Sequence, residues 1–134
     1  MKDKTSGWVF FAEKDVVAAS TLIDNAELTG EVAFHCQQAI EKYFKAYLAE
    51  NDKQVRKIHD LVKLYSEIKN IKDWNIDEIL LEDIGKIYTE SRYPDDIGIK
   101  PDGLLPTQEE AQKYLDFAKK IETIFKDLVE YEES

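Results

Sequence analysis

The sequence is poor in the residues that staple or interrupt a chain. It holds one cysteine, Cys36, so an intramolecular disulfide and a cysteine-rich zinc site are excluded, which fits a reducing cytoplasm. Glycine (five) and proline (three) are scarce, and all three prolines fall between residues 94 and 106, which leaves the rest of the chain to long uninterrupted helices. Positive charge is also short. Eighteen Lys and Arg stand against 28 Asp and Glu, and the resulting net charge of -10 argues against a general nucleic-acid coat while leaving room for a local basic pocket. No apolar run approaches the ~18 residues of a membrane span. The opening MKDKTSGWVFFAEKD has too few apolar residues, and acids too early, for a secretory signal, so a cytoplasmic location is expected. Chemical signatures are missing too: there is no glycine-rich phosphate loop, no His-Glu-x-x-His and no Glu-x-x-His. Two histidines and one cysteine do not assemble into a triad by spacing, and neither a metal nor a cofactor is expected.

What is present is helical periodicity. The chain of 134 residues is 43% hydrophobic and 34% charged, a globular balance, and reads as a single domain over 1–134 whose acidic end (about 130–134) is expected to fray. Five segments carry apolar residues at helical spacing. The first, from about Thr5 to Asp24, aligns Trp8, Phe11, Ala12, Val16, Ala19, Leu22 and Ile23. The second, from about Gly30 to Asn51, aligns Val32, Cys36, Ala39, Ile40, Tyr43 and Tyr47. The third covers Ile58 to Lys69, and the fourth about Ile76 to Ser91. The fifth follows Pro106, where Thr107 and Glu110 have capping-box spacing. An all-α, up-and-down antiparallel bundle of four to five helices is the expected fold. The long connection YPDDIGIKPDGLLP, residues 93–106, is of a length that is usually functional or mobile.

Polar residues that interrupt these stripes are the candidates for function. Asp15 lies within one turn of Phe11, Ala12 and Ala19, where a lone carboxylate needs either a partner or a wet pocket. A structural ion pair and a site acid are equally open readings there. On the second helix, His35, Gln38, Lys42 and Lys45 share one stripe beside the apolar face, and Gln37 with Glu41 forms another. Glu41 and Lys45 are expected to be a solvated flank, whereas His35, Gln38 and Lys42 suggest a donor-rich site on a strongly acidic protein. His59 and Asp60 open the third helix, with Asp60 suited to its positive end. Arg92 closes the fourth helix before Tyr93-Pro94, placed to fork onto a carboxylate or a phosphate.

The runs AFHCQQAIEKYFKAYLAE, IHDLVKLY and SRYPD, together with the opening WVFFAEKDVVAASTLI, resemble the HEPN domain (higher eukaryotes and prokaryotes nucleotide-binding) over roughly Trp8 to Leu128. The resemblance implies a helical bundle, a homodimer with a cleft, and a role around nucleotides or RNA. It also implies a minimal nucleotidyltransferase as partner, in the manner of toxin–antitoxin modules. The nuclease branch of that family carries an Arg followed four to six residues later by a His. Here Tyr93, Pro94, Asp95, Asp96, Ile97, Gly98 and Ile99 follow Arg92, so that motif is missing and catalysis is not expected. The resemblance thus points to nucleotide or phosphate binding by His35, Gln38, Lys42, Arg92 and Tyr93, supported by Asp15, His59 and Asp60. The alternatives are a metal-independent ribonuclease with a non-standard histidine, and an inert structural partner of the transferase.

Overall fold

The fold is taken from a computed structural model, which describes residues 1–92 and 105–133, the side chains of residues 88–92 excepted. Among these residues the chain forms five α-helices: α1 (Asp3–Leu22), α2 (Thr29–Glu50), α3 (Leu61–Lys69), α4 (Glu78–Arg92) and α5 (Gln108–Glu133). A short 3-10 turn, Ala26–Leu28, joins the first two. The protein is an all-α helical bundle, as the periodicity requires.

The long helices alternate in direction. Thr5 bonds Glu50 near one end of the α1–α2 seam and Asp15 bonds His35 further along, so α1 and α2 are antiparallel. Tyr43 bonds Glu122 and Tyr47 bonds Glu132, so α5 runs parallel to α2. The segment after α2 first climbs back along it, bringing the His59 carbonyl within 3.4 Å of Gln37 Nε2. Helix α3 then descends beside α2, and α4 returns antiparallel to it, with Lys69 at the end of α3 paired to Glu78 at the start of α4. The four long helices thus make the up-and-down bundle, and α3 is a short helix inserted between α2 and α4.

Helix α2 is the axis of the molecule. Apolar side chains surround it: Val32, Ala33, Cys36, Ala39, Ile40, Tyr43, Phe44, Ala46, Tyr47 and Leu48 are all buried. A helix packed on every side is apolar all round. Its aromatic residues knit the layers together: Phe44 meets Tyr65 and Trp74, and Tyr47 meets Trp74 and Phe125 in edge-on geometry. Burial pushes the Cys36 thiol up to about 12, with Asp116 and Asp15 acting in the same direction.

Two details depart from the expectation. In α1 the core face is Val9, Ala12, Val16 and Ala19, while Phe11 is 55% exposed together with Phe10 and Val17. Phe11 is one position off the buried stripe, and its ring lies beside the Lys42 ammonium instead. Helix α3 begins at Leu61, because Asp60 caps it by accepting from the Lys63 amide at 3.1 Å, which leaves Ile58 and His59 outside the helix. Helix α5 continues to Glu133, where Tyr47 donates to Glu132 and the N-terminal ammonium pairs with Glu133. The capping box is present as the spacing indicates. Thr107 Oγ1 accepts from the Glu110 amide at 3.0 Å, and Glu110 Oε1 accepts from the Thr107 amide at 2.9 Å.

Candidate functional site

The polar residues of α2 fall into two clusters, each built on one carboxylate that holds one histidine and one lysine. The first is centred on Asp15 of α1. Its Oδ1 lies 2.9 Å from His35 Nδ1 and its Oδ2 lies 2.5 Å from Lys42 Nζ. Asp15 is itself buried, and the Lys42 ammonium together with the His35 ring compensates the cost of placing a carboxylate on the apolar face of α1. With Nδ1 turned to Asp15, the His35 ring leaves Nε2 on its other side without a hydrogen-bond partner among the described residues, and Nε2 donates there when the ring carries both protons. The side chains of His35 (29% exposed) and Lys42 (21% exposed) reach solvent from this pair. Both readings of Asp15 therefore meet in one arrangement: it makes an ion pair, and it holds two donors at the surface.

The second cluster is interior. Glu41 and Lys45 are each 3% exposed and pair at 3.1 Å, so the expectation of a solvated flank is corrected: the row is buried, with Trp8 of α1 against Lys45 and His59, in the segment preceding α3, against Glu41. Glu41 also approaches His59 Nδ1 at 3.0 Å and Gln37 Nε2 at 3.4 Å. Gln37 is fully buried and accepts from Gln38 Nε2 at 2.7 Å, which links the interior row to the outer one. His59 is positioned here by an acid on α2, its ring 53% exposed while its carboxylate partner is not. Asp60, expected as a supporting site residue, is engaged as the α3 cap.

Both lysines also sit over aromatic rings of α1, Lys42 at 5.9 Å from the Phe11 centroid and Lys45 at 5.4 Å from that of Trp8. Nearer the end of the seam, Glu50 accepts from the Lys2 amide at 3.0 Å and from Thr5 Oγ1 at 2.8 Å. Burial works to raise the Glu50 carboxyl, but these two hydrogen bonds, together with the charges of the N-terminus and Lys2, hold the group below its ordinary value.

The sequence-derived candidates are thus brought together in part. His35 and Lys42 meet on Asp15, Gln38 is one hydrogen bond away through Gln37, and His59 belongs to the second cluster. The backbone of Arg92 closes α4, but its side chain, together with Tyr93 and the 93–104 part of the long connection, lies outside the described residues. Among the described residues no group of three His, Cys, Asp or Glu side chains is arranged to hold a metal ion. No described helix is long and apolar enough to cross a membrane.

No curated protein matches the chain. Among solved structures it is similar to the crystal structure of TT1696 from Thermus thermophilus, with a TM-score of 0.77 at 24% identity, covering 94% of this chain and 98% of that one. That likeness shares the bundle described above. The family model of the HEPN domain matches residues 5–128, nearly the whole helical assembly, and the chain therefore belongs to the HEPN domain family.

Proposed function

We propose that this HEPN-domain chain, a single domain acting in the cytoplasm, binds a nucleotide or RNA through the outer cluster of α2 without cleaving it. In this reading His35 and Lys42 contact phosphate, Asp15 orients both, Gln38 reads a polar group of the ligand, and Arg92 and Tyr93 add an anion fork and a stacking ring. The observation that carries it is the Asp15–His35–Lys42 arrangement: two donors pinned on one buried carboxylate, both reaching the surface of an otherwise acidic protein. Preorganised donors of this kind bind an anion with little further ordering cost. Membership of the HEPN family supports a nucleotide- or RNA-related role. We further propose that the chain works as a homodimer beside a minimal nucleotidyltransferase, in a toxin–antitoxin-like module. The net charge of -10 offers a basic surface of such a partner electrostatic complementarity.

Calorimetric titration with ATP and with a short single-stranded RNA tests the binding. The proposal expects saturable binding of at least one of them, weakened tenfold or more in Lys42→Ala and in Arg92→Ala. Binding that both variants leave unchanged refutes the site, and no binding by the wild type leaves the inert-partner reading standing.

A second reading, a metal-independent ribonuclease, draws support from one contact. Glu41 stands behind His59 Nδ1 at 3.0 Å, the way a carboxylate orients a general base. Incubation with RNA in EDTA decides between the two: cleavage that vanishes in both His59→Ala and Arg92→Ala favours the nuclease.

A further inference from the structure

The α1–α2 seam ends in an open groove of about 900 Å³ between the first turns of α1 and the segment that follows α2. Its floor is aromatic. Trp8 and Phe11 line it, and each ring has an ammonium group over it, Lys45 and Lys42 respectively. Gly7 opens the space beside them, since a Cβ there would meet nothing within 4 Å. The rim is basic against the trend of the protein. Lys2, Lys4 and Lys53 stand against Asp3 and Asp52, three positive charges to two negative, on a chain whose net charge is -10. Lys2 is occupied by Asp52, whereas Lys4 and Lys53 make no ion pair among the described residues.

An exposed aromatic surface flanked by uncommitted lysines is what a base with an attached phosphate requires. The base stacks on a ring of any matching size, and the lysines neutralise the phosphate. A purely apolar partner would leave the rim lysines facing it unpaired, and a purely anionic one would leave the rings unused. The groove is also continuous with the outer cluster, because Phe11 lies beside Lys42 and Lys42 is bound to Asp15. From Asp15 to Lys4 is eleven residues of α1, about 16 Å at a helical rise of ~1.5 Å per residue.

We propose that this groove is a binding site for a nucleoside phosphate, with Phe11 and Trp8 stacking the base and Lys4 and Lys53 holding the phosphate. The site rests on the nucleotide-binding reading above and adds to it a base-stacking end, distinct from the Asp15–His35–Lys42 edge.

The chain has two tryptophans, Trp8 at the groove and Trp74 buried in the core, so ligand-dependent quenching of tryptophan emission reports Trp8. The probes are AMP and a 5′-phosphorylated single-stranded RNA hexamer. Saturable quenching by AMP assigns the groove to free nucleotide, and quenching by the hexamer alone assigns it to an RNA end; either supports the site. Phe11→Leu is expected to weaken binding on the order of tenfold. Lys4→Glu with Lys53→Glu is expected to weaken it at least as much and to flatten its salt dependence. All three positions are exposed, so folding is preserved. Absence of quenching by both probes, or quenching that neither variant alters, overturns the proposal. So does sedimentation showing that Phe11→Leu splits a dimer without altering quenching, which gives the groove to a second copy. Calorimetric binding lost in Lys42→Ala but untouched by the groove variants sinks this site and leaves the function proposed above intact. No calorimetric binding at all sinks both.

Discussion

Replacing Glu41 by Gln should be among the most damaging single changes available in this protein. Glu41 is 3% exposed and is the only carboxylate paired with Lys45 among the described residues, at 3.1 Å. Glutamine keeps the shape but removes the charge, so Lys45, also 3% exposed, is left as a buried cation without a counter-charge. Breaking one side of a buried pair in this way costs about 3–5 kcal/mol. The Lys45 ammonium lies over the Trp8 ring in the wild type and the variant alike, so that contact cancels in the difference. A loss of at least about 3 kcal/mol is the expected result. At a urea m-value near ~2 kcal/mol/M, that lowers the unfolding midpoint by about 1.5 M. The assay is urea unfolding followed by far-UV circular dichroism. The pair Glu41→Gln with Lys45→Met removes both charges and should recover at least half of the loss, since an apolar replacement of a buried pair is often neutral. Lys69→Ala serves as a reference, because the Lys69–Glu78 pair is exposed on both sides and contributes little. A Glu41→Gln loss no larger than the Lys69→Ala loss would show that the α2 row is solvated after all.

Other expectations follow from single features. Thr107→Ala removes half of the capping box on α5 and should cost about 1 kcal/mol in the same unfolding assay. Gly85 lies within α4, where an added Cβ would meet Leu61 Cβ at an ordinary 3.9 Å, so Gly85→Ala should stabilise by about 0.5–1 kcal/mol through helix propensity. Alkali should destabilise the fold. Burial raises the Cys36 thiol from 9.0 to about 12, and it raises the Tyr43 hydroxyl too, assisted by the bond to Glu122. Between those pH values the folded chain keeps protons that the unfolded chain has released, so stability is intact below pH 9 and lost as pH rises toward 12. A melting temperature equal at pH 8 and pH 10.5 contradicts this.

Much of the bundle was legible because its helices are long and their apolar periods unbroken. The stripe of α2 from Val32 to Tyr47 is buried as read, and the Thr107–Glu110 box starts α5 where its spacing says. The difference lies in α2, which is not a surface helix with one apolar face. Phe44, Ala46 and Leu48 fall outside that face, so the helix is apolar nearly all round, and any polar residue among them must be interior. That signal would have placed Gln37, Glu41 and Lys45 inside the protein. Phe11 differs for the complementary reason: α1 carries apolar residues on both faces, and period alone does not say which one the core takes. The grouping of His35 and Lys42 on Asp15 was readable only as residue types near a helix face. Which cation a carboxylate chooses depends on how two distant helices meet.

The two histidines of the chain report separately on the two clusters, His35 on the outer one and His59 on the interior one. The most direct test of ligand binding at the outer cluster is therefore the nitrogen–proton spectrum of the two imidazole rings, recorded while AMP or the single-stranded RNA hexamer is added. Binding there predicts that the His35 resonances move saturably with ligand, while those of His59, set by Glu41, stay in place. Movement of His59 with His35 unchanged would contradict it and transfer the site to the interior cluster.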